Sequence, residues 1–155
     1  MFRWCALVLG VSVLCGHSST QAEASVIETI TRWGLIGTWA VDCDKPGKDG
    51  SRVTYEVRNG RPAVVRDLGG SRRDIADIER VMLDSDGSLQ IRVDFSSVIG
   101  SRYLTLIRSP DPKIRTIANQ GADGSFTVKD GKFVNDGVPT KWLARCSAPQ
   151  VKPAV

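Results

Sequence analysis

The chain has 155 residues, a formal net charge of +4 and 6% aromatic residues. This length is enough for one domain with a modest core and is short of two domains. The mildly basic balance is too weak to indicate nucleic-acid binding. No internal repeat or low-complexity tract is present, so we expect a single small globular domain.

The N-terminus has the pattern of a secretory signal peptide. Arg3 supplies a positive start, and an apolar run over residues 6–14 follows, which is too short to cross a bilayer as a helix. Small residues predict cleavage after Ala24, with Ala22 as the alternative site. Cys15 lacks the small preceding residue of a lipoprotein site. We therefore predict that residues 1–24 are removed and that the protein is periplasmic or secreted, without stable membrane insertion.

Removal of that segment also removes His17, the single histidine of the chain. Without imidazole, the exported domain lacks the usual base for serine or cysteine nucleophiles and the commonest metal ligand. We therefore predict no metal, no cofactor and no enzymatic activity. The remaining catalytic alternative is a hydrolase with a carboxylate pair, for which the candidates are Asp42, Asp44 and Asp94.

Two cysteines remain after export, Cys43 and Cys146, near opposite ends of the domain. They are too few for a zinc site, they do not form a CxxC motif, and an oxidising compartment favours their bonding. The bond would close a loop of roughly a hundred residues, worth about 4 to 5 kcal/mol by the chain-entropy estimate. We expect it to join the first strand to the last.

One short helix is predicted at the start of the exported domain. Ser25 has the place of an N-cap, with Glu28 completing a capping box. Gly34 follows the last helical residue. Ile27, Ile30 and Trp33 would share the apolar face of this helix, which needs a partner surface.

Strands are predicted for the rest of the domain, because apolar residues alternate with period two between Asx-Gly turn dipeptides. The alternation is clearest over residues 53–57 and 89–95. Further strands are predicted at 36–43, 63–66, 75–83, 102–108, 114–118, 126–129 and 141–146, of which 75–83 also fits a helix.

This succession of about eight or nine short strands contains no helical crossover long enough for parallel pairing. We therefore predict an all-β fold over residues 25–146, an antiparallel up-and-down β-barrel with one short N-terminal helix. Closure of the sheet removes exposed edges. Residues 147–155 are predicted to form a disordered tail.

Gly37-Thr38-Trp39 opens the first strand directly after the helix, and Arg145 lies in the last strand. This pattern resembles the G-x-W signature of lipocalins and the wider calycin group. In that group the Trp lies at the closed end of the barrel and a late basic residue packs across it. The resemblance implies a lipocalin-like barrel in which Trp39 and Arg145 are structural.

The apolar faces of the strands are candidates for the lining of a ligand cavity. An eight-stranded barrel can hold one small ligand or be filled by its own side chains, and the sequence leaves both options open. The candidate lining residues are Tyr55, Val57, Ile91, Val93, Phe95 and Tyr103. A basic stretch could bind phosphate or carboxylate groups or form a solvated face balanced by acidic neighbours, and its residues are Arg66, Arg72, Arg73 and Arg80.

The function predicted from these features is that of an exported, non-enzymatic binding protein. It would hold a small apolar molecule inside the barrel or bind an envelope or protein partner. The alternative is a protein-binding or inhibitor module that acts through loops and the outer face of a packed barrel. An interior cavity of ligand size favours the first function, and a solid core favours the second.

Overall fold

The structure is a computed structural model that describes residues 18–45, 52–67, 69, 73–95 and 99–146. Side chains are described from residue 25 onward. Most of the predicted signal peptide, Arg72 and the predicted tail over 147–155 lie outside the described residues. Within the described part of the chain, no helix is both long and apolar enough to cross a bilayer.

Helix α1 spans Ser18–Trp33. Its start corrects the prediction of an N-cap at Ser25, which lies inside the helix with its carbonyl accepting a 2.8 Å hydrogen bond from Thr29 Oγ1. The preceding segment contains Gln, Glu and Ala, which favour helix and extend it toward the N-terminus. Gly34, with φ of +82°, ends the helix as predicted. The Leu35 amide then bonds to the Ile30 carbonyl at 2.8 Å, a Schellman-type closure.

Ten antiparallel strands follow in the described residues. Their bounds are β1 (Gly37–Ala40), β2 (Arg52–Arg58), β3 (Arg61–Asp67), β4 (Arg73–Leu83), β5 (Leu89–Phe95), β6 (Gly100–Arg108), β7 (Lys113–Gly121), β8 (Phe126–Lys129), β9 (Lys132–Phe133) and β10 (Leu143–Cys146). The segment that fitted both helix and strand is β4, which pairs with β3 and β5 and carries an irregularity between Ile78 and Arg80. The two-residue β9 was not predicted, because it is too short to show a period.

The sheet closes into the predicted barrel through β10. This strand pairs with β1, where Cys146 lies opposite Thr38, and with β7, where Leu143 lies opposite Ile114. Strands β1 to β7 and β10 therefore form a closed, antiparallel, eight-stranded barrel. Strands β8 and β9 form a hairpin that extends from the C-terminal half of β7.

Helix α1 covers one end of this barrel, which we call the closed end. The Trp33 indole donates a 2.9 Å hydrogen bond to the Gly87 carbonyl in the β4–β5 turn, and Arg108 Nη1 donates to the Trp33 carbonyl at 2.7 Å. Ile30 of the helix and Leu35, just after it, belong to one core cluster with the inward residues of the strands, such as Leu89 and Ile91. The closed end is therefore filled by side chains.

The predicted disulfide joins Cys43 to Cys146, with their Cα atoms 5.5 Å apart. Cys146 belongs to β10, whereas Cys43 lies three residues beyond the end of β1. The bond therefore ties the last strand to the connection that follows the first strand. Arg52 of β2 adds to this junction by donating a 2.9 Å hydrogen bond to the Cys43 carbonyl.

Candidate functional site

Trp39 and Arg145 lie together at the closed end. Trp39 is 3% exposed and donates its indole N–H to the Leu35 carbonyl at 2.8 Å. The Arg145 guanidinium lies 5.7 Å from the centroid of the Trp39 ring and donates from Nη2 to the Ile36 carbonyl at 2.6 Å. These contacts join the segment that follows α1 to strands β1 and β10, where the barrel closes. Trp39 and Arg145 therefore have a structural role.

A cavity of about 400 Å³ occupies the opposite end of the barrel, which we call the cavity end. Its walls come from six strands of the barrel, from the β8–β9 hairpin, from Val41 and from the segment between β9 and β10. The six strands are β2, β3, β5, β6, β7 and β10. The exposed residues Val41, Phe133 and Val138 mark its mouth. Its apolar wall includes Tyr55, Val64, Phe95, Leu104, Ile114 and Val128.

The structure places the predicted lining residues in three different environments. Tyr55 and Phe95 line the cavity. Ile91 and Val93 are fully buried in the core cluster. Val57 and Tyr103 are each 45% exposed and do not line the cavity.

Tyr103 faces outward because of its pairing. It lies opposite Arg92, whose guanidinium carbon is 5.7 Å from the centroid of the tyrosine ring on the outer surface. Its neighbour Leu104 takes the inward position instead. Val57 lies near the end of β2, beside the Asn59-Gly60 turn, where the core no longer covers it.

The basic stretch predicted from the sequence does not act as one surface. Arg66 shares the inward face of β3 with Val64 and lines the cavity. Arg73 and Arg80 are exposed on β4, and Arg80 lies opposite Arg92 on the outer face. Only Arg66 among these described arginines therefore belongs to the cavity.

The Arg66 side chain is held in place on two sides. Its guanidinium carbon lies 4.0 Å from the centroid of the Phe95 ring, and Nη2 donates a 2.6 Å hydrogen bond to Asp74. The side chain is 26% exposed, yet its Nε is buried without a hydrogen-bond partner. Stacking and ion pairing together fix the plane of this cation at the cavity wall.

Five further polar side chains line the cavity: Tyr55, Thr116, Asn119, Thr140 and Lys141. Burial raises the pKa of Tyr55 well above its ordinary value of 10, and the positive charge of Arg66 partly opposes this rise. The Oδ1 atom of Asn119 is buried and has no hydrogen-bond partner. Sequence reasoning missed Asn119 and Lys141, because neither stands in a pattern that marks the interior.

The candidate carboxylates do not converge. Asp42 accepts a 3.0 Å hydrogen bond from the Asp44 amide, as in an Asx turn. Asp94 accepts a weak 3.4 Å bond from Ser101 on the outer face of the sheet. Over the ranges that the structure describes, no group of three or more His, Cys, Asp or Glu side chains could hold a metal ion.

Comparison of the chain with protein-family models, with curated proteins and with solved structures found no match. The architecture, a closed antiparallel barrel of eight strands with the Trp39–Arg145 contact at its closed end, is compatible with a lipocalin-like barrel.

Proposed function

We propose that the protein binds a small, mainly apolar molecule in the cavity at the cavity end, without transforming it. The observation that carries this proposal is the cavity itself, whose volume is about 400 Å³ and whose walls are largely apolar. Small-molecule sites are typically concave, mostly apolar and a few hundred Å³ in volume, with a small number of polar groups that orient the ligand.

The barrel interior is filled by side chains at the closed end and open at the cavity end. This arrangement supports binding of a ligand inside the barrel rather than on its outer face. At the closed end, Ile30, Leu35 and Leu89 have no exposed surface. The space at the cavity end is bounded by strands of the same closed sheet, which fixes its walls. A preformed cavity lowers the entropic cost of binding.

The proposal includes a location for this binding, which is outside the cytoplasm. The Cys43–Cys146 bond is consistent with a periplasmic or extracellular location, since such bonds persist in oxidising compartments. The function would then be to hold or carry a poorly soluble molecule outside the cytoplasm.

A pair of adjacent substitutions tests this site. Leu104 points into the cavity, whereas Thr105 lies opposite Gln90 on the outer face of the same strand. We expect the fluorescent probe 1-naphthylamine, which is neutral at pH 7.5, to bind the wild type and Thr105→Trp with one site. Leu104→Trp fills the cavity and should weaken binding at least tenfold, with Leu104→Phe as a smaller replacement if the first variant unfolds.

Equal binding of the probe by the wild type and both Leu104 variants would place it on the surface and overturn the proposal. Native mass spectrometry of the protein purified from its own host gives an independent test. We expect a mass increment of one small molecule, which Leu104→Trp should lose and Thr105→Trp should keep.

A further inference from the structure

The charge of the cavity lining points to the class of ligand. Among the described residues that line the cavity, the charged side chains are Arg66 and Lys141, and no carboxylate lines it. We propose that the ligand is a single-chain amphiphile with an anionic head, bound with its head at Arg66. This inference rests on the proposed function and specifies its ligand.

Arg66 has hydrogen-bond donors that no described contact uses and that could bind an anionic head. A guanidinium carries five N–H donors, and the described hydrogen bond of Arg66 uses Nη2 for Asp74. Nε has no partner. Because the Phe95 ring and Asp74 already fix the guanidinium plane, little side-chain entropy is lost when an anion binds.

Tyr55 supplies a second donor near the same place. It lines the cavity together with Arg66, and it lies opposite Val64, which precedes Arg66 by two residues on the same face of β3. Burial keeps the phenol protonated, so its hydroxyl can donate to an anion. Lys141 lies at the exposed side of the cavity and adds a positive charge.

The volume of the cavity limits the length of the ligand's hydrophobic tail. At a water's share of roughly 30 Å³, a cavity of about 400 Å³ has room for about a dozen non-hydrogen atoms. A medium-length acyl chain meets this limit, and its methylene groups match the apolar wall.

The test compares decanoate with decanol, which share a chain and differ in head charge, by calorimetry at pH 7.5. We expect the wild type to prefer decanoate by roughly tenfold or more, as for a hydrogen bond to a charged group. Arg66→Gln should abolish this preference by weakening decanoate alone. Arg80→Gln removes an exposed arginine of the outer face and should leave both affinities unchanged.

Asp74→Asn keeps the test decisive if Arg66→Gln does not fold. This variant retains Arg66 and removes the carboxylate that competes for it, so decanoate should bind several-fold more tightly while decanol is unaffected. Equal affinity of the wild type for both compounds, or a decanoate preference that survives Arg66→Gln and does not rise in Asp74→Asn, overturns the anionic ligand. Failure of both compounds to bind overturns the proposed function itself.

Discussion

Arg145 occupies the space that a side chain at Gly37 would need. A Cβ atom added to Gly37 would lie 3.0 Å from Nε of Arg145 and 3.3 Å from its Nη2. The φ angle of Gly37 is +141°, which side-chain-bearing residues rarely adopt. Glycine at this position therefore lets Arg145 reach the Ile36 carbonyl and the Trp39 ring, which gives a physical reason for the glycine of the G-x-W pattern.

Gly37→Ala should destabilise the protein through both effects. We expect a loss of about 2 to 3 kcal/mol in the free energy of unfolding, since a strained backbone conformation costs about 1–3 kcal/mol and the Arg145 contact is displaced in addition. Gly87 is the matched control, because its φ is also positive (+83°) and no atom lies within 4 Å of an added Cβ. Urea unfolding should show a clearly smaller loss for Gly87→Ala, and equal losses would contradict the role of Arg145.

Reduction of the disulfide should lower the melting temperature markedly. Cys43 and Cys146 are 103 residues apart in the chain, so the chain-entropy estimate for the lost constraint is about 4.7 kcal/mol as an upper value. The Cys43→Ser/Cys146→Ser double variant should match the reduced protein. Unfolded but unreduced protein that starts at Ser25 should contain no thiol that an alkylating reagent can label, and labelling of either cysteine would disprove the bond.

Thr140 connects the segment before β10 to β7 and to the β8–β9 turn. Its hydroxyl accepts a 3.0 Å hydrogen bond from Arg115 Nε and donates to the Thr116 carbonyl at 2.7 Å, and the residue is only 8% exposed. Thr140→Val keeps the shape but leaves both partners unsatisfied, so we expect a loss of about 1–3 kcal/mol. Thr127→Val, at an exposed position of β8, should change stability by less than about 0.5 kcal/mol. Similar results for the two variants would contradict a structural role for the Thr140 hydroxyl.

The barrel was predictable because its signals are local and repeated. Residues 89–95 alternate strictly, and every inward member of this strand is buried in the structure. Period two also fixes which face Arg66 occupies, since it stands two residues after the buried Val64. The sequence interpretation grouped Arg66 with its charged neighbours instead. The two arginines are separated by the pairing of β3, β4 and β5, in which Arg66 lies opposite Asp74 and Arg80 lies opposite Arg92.

The site was less predictable, because it depends on pairing and on irregular segments. Tyr103 was predicted to point inward because it is aromatic. Its position opposite Arg92 shows that it points outward. Lys141 was predicted as the first residue of the last strand, over 141–146, but β10 begins at Leu143, so Lys141 lies in the irregular stretch between β9 and β10. Lys141 reaches the cavity because that stretch crosses the end of the barrel, and no local sequence pattern predicts this path.

Tyr55 predicts how stability changes at high pH. Burial raises its pKa in the folded state above its ordinary value of 10, whereas the unfolded chain has the ordinary value. The neutral phenol therefore contributes stability in full below pH 10, and this contribution is lost as the pH rises from 10 toward the folded-state pKa.

Tyr55→Phe removes this ionisation and isolates its effect. Above pH 10, the wild type should lose up to about 1.4 kcal/mol per pH unit through Tyr55, and the free-energy difference between wild type and Tyr55→Phe should shift in favour of the variant. Urea unfolding at pH 8, 10 and 11 measures this difference. Tyr103→Phe, which changes an exposed tyrosine on the outer face, should keep the wild-type pH dependence. An unchanged difference between wild type and Tyr55→Phe across this range would show that the Tyr55 hydroxyl reaches solvent in the folded protein and ionises there as freely as in the unfolded chain.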